Sequence, residues 1–290
     1  MRVLITGCEG QVGTSLVKQL KGKAIVKATC RNSLDITKLD KVIELVNDFY
    51  PDVIINAAAY TAVDQAESES EISYKVNRDG PKNLALAAKN IDAIILHIST
   101  DYVFSGDKLG EYDEDDITEP KSIYGKSKLA GEKAIIDIAE KHIILRTAWV
   151  FSEKGNSFVK TMLNLGKRHN EIGVVGDQFG GPTYSGDIAK TLILFAQKLY
   201  KGEHIHYGVY HYSGLPHVSW YDFANEIFQV ANRKGLMQNC PQINKITTSD
   251  FPTPAKRPPN SKLNTDKISN ALGIVASNWK LALDNIEDYQ

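Results

Sequence analysis

Two residues able to carry proton chemistry stand four apart in the run Tyr124-Gly-Lys-Ser-Lys128. An interval of four places both side chains on one face of a helix, and Leu129, Ala130, Glu132 and Ala134 extend the run as a helical segment. A tyrosine near its ordinary pKa of about 10 is a poor acid or base at neutral pH, and a neighbouring ammonium favours its phenolate. Such a pair suits a tyrosine that donates its proton to a carbonyl oxygen. Taken alone, Tyr-x-x-x-Lys is common, and an amphipathic surface helix explains it equally well. The second feature is Ser99-Thr100-Asp101-Tyr102, which ends an apolar run at 94–99. Hydroxyl and carboxyl groups at the carboxyl end of a strand sit where open α/β sheets bind ligands, so Thr100 would hold the same oxygen.

The third feature is Val3-Leu-Ile-Thr-Gly7-Cys-Glu-Gly10-Gln-Val-Gly13, an apolar strand running into a helix through Leu16 and Leu20. Glycines at a strand-to-helix turn let the backbone approach a pyrophosphate, which then meets free N–H groups at the positive end of the helix. The spacing is G-x-x-G-x-x-G rather than G-x-G-x-x-G, yet the strand before it and the helix after it supply the required context. With a dinucleotide in place, a nicotinamide would deliver hydride to the carbonyl carbon that Tyr124 protonates. The second strand should end beside the adenosine ribose, where a carboxylate reads a 2′-hydroxyl and an arginine pairs with a 2′-phosphate. Arg31 stands there and Asp35 follows. NADPH is the expected cofactor, with NADH left open.

Elements that would position these groups are legible in the first half. Short Val- and Ile-rich runs recur at 3–6, 24–29, 53–57, 94–99 and 143–147, and segments between them carry apolar residues at intervals of three and four. Continuous apolar strands separated by helices imply a parallel sheet covered on both faces. The expected fold is therefore α/β: a Rossmann-like doubly wound parallel sheet with a smaller C-terminal substrate-binding lobe. Past Trp149 glycines and turns become frequent, and a proline-rich stretch spans 251–260. We assign 1–150 to an NAD(P)-binding domain, with 184–206 returning to it, and 151–183 and 207–290 to the substrate lobe.

Composition narrows the partners. The 290 residues carry 34 basic and 35 acidic side chains for a net charge of −1, which supplies no long-range field for a polyphosphate and argues against nucleic acid as a principal partner. No apolar run approaches the ~20 residues that cross a bilayer, and residues 1–5 lead into a strand rather than a secretory signal. The cytoplasm is the expected location, without membrane attachment. The three cysteines are too far apart in sequence for a disulfide framework or zinc set, and the seven histidines show no ligand spacing and read mostly as packing or surface residues.

The three features together resemble the extended short-chain dehydrogenase/reductase superfamily, which uses a Thr, Tyr and Lys set with NAD(P). Longer motifs sharpen the likeness. Asn56-Ala-Ala-Ala-Tyr60-Thr-Ala-Val63-Asp64, Ser99-Thr-Asp-Tyr-Val-Phe104, Tyr124-Gly-Lys-Ser-Lys-Leu-Ala-Gly-Glu132, Arg146-Thr-Ala-Trp149, Asp177-Gln-Phe-Gly-Gly-Pro-Thr183 and Arg257-Pro-Pro-Asn-Ser261 resemble the dTDP-4-dehydrorhamnose reductase family over nearly the whole chain. The resemblance implies reduction of the 4-keto group of dTDP-6-deoxy-L-lyxo-4-hexulose to dTDP-L-rhamnose. It makes Tyr124 the proton donor, Lys128 its electrostatic partner and ribose contact, and Thr100 the hydroxyl that tunes Tyr124. Gly7, Gly10, Gln11, Val12 and Gly13 would hold the pyrophosphate, Asp35 and Ile36 lie near the adenosine, and Ala59, Tyr60 and Thr61 run along the cofactor. Asp101 and Trp149 match positions that contact the deoxyhexulose, while Arg257 and Asn260 would reach the diphosphate of the dTDP-sugar.

Some members are associated with magnesium through acidic residues. The position after the glycine turn that is acidic in some relatives is Ser15 here, so Mg2+ stays open and no metal ligand is assigned. Monomer and homodimer both stay open. Two alternatives accompany the reductase reading: another nucleotide-sugar reductase or epimerase of the superfamily, and a non-catalytic NADP-binding regulatory subunit.

Overall fold

A computed structural model describes residues 1–290. The central sheet is built from β1 (Arg2–Thr6), β2 (Ile25–Thr29), β3 (Val53–Asn56), β4 (Ile94–Thr100) and β5 (His142–Thr147), with the strand Gly208–His211 added beside β5. All six are parallel, and the order across the sheet is β2, β1, β3, β4, β5, then Gly208–His211. The order reverses between β1 and β3. A crevice opens at such a switch point, outside the carboxyl ends of the strands.

Alternation along the strands sorts the core into two layers, because successive side chains point to opposite faces. Val3 and Ile5 of β1, Ile55 of β3 and Leu96 of β4 pack under α1 (Gln11–Leu20), with Leu16 and Leu20 in the same cluster. The helix Ser185–Tyr200, in the segment expected to return to the sheet, adds Ile188, Leu192, Phe195 and Leu199 to that layer. On the other face Leu4, Ile54, Ile95 and Ile144 meet Val42 and Val46 of α2 (Leu39–Phe49) and Leu84 and Ala88 of the helix Gly80–Asn90. The edge strand β2 is short and turns Lys27 to solvent, a charge that discourages pairing with another chain.

A second core gathers Phe151, Met162, Val174, Phe223, Ile227, Trp279 and Tyr289. Its helices Phe158–Gly166 and Trp220–Arg233 flank the parallel pair Glu171–Val175 and Gln242–Ile246. Ser219 opens the second helix with a reciprocal capping box to Asp222, which satisfies two of the otherwise free amides.

The segment 207–290, assigned above to the substrate lobe, divides instead between the two cores. Gly208–His211 completes the central sheet, and Ile268 and Leu272 pack into the layer under α1. The strand is four residues long and offers one β-branched residue, Val209, so its periodicity is too brief to read from sequence.

One buried ion pair ties the sheet to the helix Ile123–Ile138. Arg146 of β5 reaches Glu132 at 2.7 Å, both nearly fully buried, and also bonds the Glu114 carbonyl. Removing one partner of such a pair costs roughly 3–5 kcal/mol because the other charge is left unpaired.

Candidate active site

At the carboxyl end of β1 the chain turns at Gly7, whose φ is +71°. A Cβ there would lie 2.6 Å from the Ala58 nitrogen, and one on Gly13 would lie 2.0 Å from the Gly7 carbonyl oxygen. Both glycines are therefore demanded by close backbone approach. Gly10 caps α1 without any side-chain bond, so the first helix amides remain available to an anion. Gly7, Gly10, Gln11 and Val12 line a cleft of about 1320 Å³, while Gly13 lies behind them, fitting α1 onto the turn.

Arg31, Asp35 and Ile36 line the same cleft near the end of β2. Burial opposes ionisation of Asp35, but bonds from the Thr37 side chain and amide, with Lys38 and Arg31 nearby, hold its carboxyl below the usual range. Ala59, Tyr60 and Thr61 form the wall after β3. Asn77 clamps that wall from behind: its Oδ1 accepts from Tyr60 N at 2.8 Å and its Nδ2 donates to the Tyr60 carbonyl at 3.0 Å. Asn77 sits in a single π-helical turn, Lys75–Asp79, and Gly131 lets the helix Ile123–Ile138 approach it, since a Cβ would meet the Asn77 carbonyl oxygen at 2.1 Å.

Thr100, Tyr124 and Lys128 all line this cleft. Tyr124 and Lys128 share the helix Ile123–Ile138, started by Ser122, whose hydroxyl accepts from the Gly125 amide. The phenol departs from expectation. Burial pushes Tyr124 above its usual range, the Thr100 hydroxyl opposes the shift, and Asp101 and Tyr102 reinforce it. Burial outweighs the expected ammonium effect because Lys128 is held elsewhere: its Nζ bonds the Ile98 carbonyl at 2.6 Å and His97 Nε2 at 3.2 Å. Lys128 itself is pushed down to about 8 by burial, against the pull of Glu132. Thr100 Oγ1 donates to Asp101 Oδ1 at 2.9 Å, and burial raises Asp101 to about 6. Tyr102 meets the Tyr124 ring edge to face at 5.5 Å.

Beyond β5, Trp149 adopts a φ of 48° and stacks on Trp220 of the second lobe, centroids 3.5 Å apart. One indole face is thus covered by protein rather than open to a sugar. Gly180 accepts the ring, for a Cβ there would lie 2.6 Å from it. Arg257 borders the cleft but is engaged by Asp64 at 2.7 Å and the Tyr102 hydroxyl at 3.0 Å. Asn260 is not in the cleft wall. Its amide donates to the Lys108 and Gly110 carbonyls, and this shape of turn, closed by the loop after β4, was invisible in the proline-rich sequence. Phe158, Met162, Gln178, Trp220 and Thr253 complete the far wall; only Gln178 lies in a motif quoted above, Asp177 to Thr183, and the other four stand in no run whose spacing suggests chemistry.

A family model described as RmlD substrate binding domain matches residues 1–289. A dTDP-4-dehydrorhamnose reductase of Aggregatibacter actinomycetemcomitans is 53% identical over 290 residues, 99% of each chain. The chain belongs to the dTDP-4-dehydrorhamnose reductase family. A solved member from Clostridium acetobutylicum superposes with a TM-score of 0.92 at 42% identity over 99% of both chains. Another, from Bacillus anthracis in complex with NADP, has a TM-score of 0.90 at 37% identity over 100% of this chain and 99% of that one.

The residues of this family member fit a dinucleotide on their own evidence. Gln11 Oε1, Ser99 Oγ, Asp101 Oδ2 and Thr147 Oγ1 are buried without a hydrogen-bond partner and all belong to the cleft wall. Buried polar atoms are almost always paired, so four orphans in one cleft, beside an uncapped helix start, describe a surface that a polar ligand completes. No helix is long and apolar enough to cross a membrane, and no group of three His, Cys, Asp or Glu side chains is placed to share a metal ion.

Proposed function

We propose that this chain reduces the 4-keto group of dTDP-6-deoxy-L-lyxo-4-hexulose to give dTDP-L-rhamnose, with NADPH as reductant, in the cytoplasm and as a monomer or homodimer. The observation that carries the reading is that Thr100 and Tyr124 are paired and share one cleft with Lys128 and the open start of α1. The α1 amides and Gly7 to Val12 hold the pyrophosphate, Arg31 addresses the adenosine end, and Ala59 to Thr61 follow the cofactor toward Tyr124. NADPH supplies hydride when bound. Tyr124 gives its phenolic proton to the carbonyl oxygen, which the Thr100 hydroxyl also contacts, and Lys128, as an ammonium that has taken its own proton from solvent, offsets the phenolate left behind.

Burial makes that phenolate costly in isolation, so proton release is confined to the moment when a ketone oxygen gains negative charge. The second lobe contributes Trp149 and Trp220 as an apolar wall for the 6-deoxy sugar, while Asp101 contacts its hydroxyls and Arg257 exchanges Asp64 for a diphosphate oxygen. In this reading the sheet half binds cofactor and the Phe151 to Tyr289 core supports the sugar side. The test is to incubate the chain with the 4-keto sugar nucleotide and NADPH and to follow both cofactor and product. Stoichiometric oxidation with a single new hydroxyl of L-rhamno configuration by NMR is expected. Interconversion of 4-epimers without net NADPH consumption would instead identify an epimerase.

A further inference from the structure

His97 lies fully buried within β4 and touches Lys128. Its Nε2 is 3.2 Å from Lys128 Nζ, and its Nδ1 is 2.9 Å from the Asn56 side-chain nitrogen. The direction of this chain is fixed at its far end. Asn56 Oδ1 accepts from the Ala58 amide at 3.1 Å and from the Thr6 hydroxyl at 2.7 Å. A main-chain N–H can only donate, so the Asn56 oxygen faces Ala58 and its NH2 faces the ring. His97 Nδ1 must then accept, and a neutral imidazole that accepts at Nδ1 carries its hydrogen on Nε2. That hydrogen meets Lys128, whose Nζ already donates to the Ile98 carbonyl at 2.6 Å. An ammonium has three hydrogens and no lone pair; a neutral amine can receive the imidazole N–H.

We propose that His97 is a positioning residue for Lys128, oriented by Asn56 and the Ala58 amide so that its Nε2–H docks on an uncharged Lys128 amine and holds it against β4 in the resting protein. The opposite arrangement, an ammonium bonding to a bare Nε2, places the hydrogen on Nδ1, against the Asn56 NH2. Turning that amide over would set its NH2 against the Ala58 N–H, so every alternative costs a buried hydrogen bond. Burial lowers both groups, His97 well below its ordinary range, where the Lys128 charge adds to the fall, and Lys128 to about 8, so near neutral pH it is the hydrogen-bond pattern and not burial alone that must hold the amine uncharged. Among the neighbouring groups, Glu132 one turn further along the helix favours the ammonium, but its carboxylate is shared with Arg146 of β5. Tyr124, Asp101, Tyr102 and the Arg257 that bonds Tyr102 are further titratable or charged groups lining the cleft. The proposal builds on the reductase reading, because it concerns the charge of the lysine that reading employs.

Two measurements on the full chain test it. The first is 15N NMR of the histidine-labelled, cofactor-free protein, with the His97 signal assigned by its loss in His97→Gln. The expected ring is neutral with hydrogen on Nε2, and Asn56→Asp, whose carboxylate accepts from Nδ1–H, is expected to move that hydrogen to Nδ1. The second is the pH profile of kcat/KM for NADPH. Both substitutions are expected to move its alkaline limb upward by about one pH unit, as Lys128 regains ordinary basicity, whereas a merely structural role would lower activity evenly. A ring with hydrogen on Nδ1 in the unsubstituted chain overturns the proposal, as does an alkaline limb unmoved by either substitution. The NMR arm needs no turnover, so an Nε2–H ring in a chain inert toward the sugar nucleotide would refute the functional reading and leave this one standing.

Discussion

Replacing Tyr124 by Phe removes one oxygen and leaves the rest of the site in place. The ring keeps its edge-to-face contact with Tyr102 at 5.5 Å and its place in the helix Ile123–Ile138. The hydroxyl has Thr100 as its hydrogen-bonding neighbour, so its loss costs about 0.5–1.5 kcal/mol of stability. Catalysis should suffer far more. A positioned general acid contributes roughly 10²–10⁴-fold, which at about 1.36 kcal/mol per decade is a barrier increase of roughly 3–5 kcal/mol. The amides that hold the pyrophosphate belong to α1 and the Gly7 turn, on separate elements, so NADPH affinity should stay within about threefold. Single-turnover absorbance of the reduced nicotinamide gives the chemical step, and fluorescence titration gives the affinity. A variant that retains a tenth or more of the normal single-turnover rate with unchanged affinity would refute the assignment of Tyr124 as proton donor.

Three further perturbations address other parts of the site. Gly7→Ala should lower thermal stability by at least about 1–2 kcal/mol from the positive φ alone, more from the 2.6 Å approach to Ala58, and abolish saturable NADPH binding. Arg31→Ala should weaken NADPH about 10- to 100-fold, the worth of a charge-assisted phosphate bond, and NADH by less than about threefold; equal losses in calorimetric titration would remove Arg31 as the 2′-phosphate contact. Asp101, raised to about 6 by burial, binds its proton more tightly folded than unfolded, so it favours the folded state below about pH 4 and loses that contribution as pH climbs through 6. Asp101→Asn should therefore be more stable than the parent at pH 7–8, by up to about 3 kcal/mol, with the gap closing toward pH 4 in denaturant titrations.

How much of this was readable beforehand depended on whether a residue's role is local. The strands β1, β3 and β4 are near-continuous Val, Ile and Leu runs buried on both faces, and such runs announce themselves. Gly7 and Gly10 were legible because a turn between strand and helix restricts backbone shape within a few residues. Tyr124 and Lys128 were legible because helix geometry converts an interval of four into a shared face. Roles set by distant chain segments were not. Asn260 looked like a phosphate ligand but spends its amide on carbonyls some 150 residues away in sequence. The cation of Arg257 is met by Asp64, and the helix bearing Trp220 faces the sheet half only after the chain has folded. His97 read as packing because one histidine in an apolar strand has no periodicity; its meaning arises from Asn56 on one side and Lys128 on the other.

The stacked indoles of Trp149 and Trp220, at 3.5 Å and 9°, give the molecule an optical signature of its own. Transition dipoles that close couple as an exciton, producing a paired near-ultraviolet dichroic band, and each ring quenches the emission of the other. Because one indole follows β5 of the sheet half and the other opens a helix of the second lobe, any relative movement of the halves alters that band without a label.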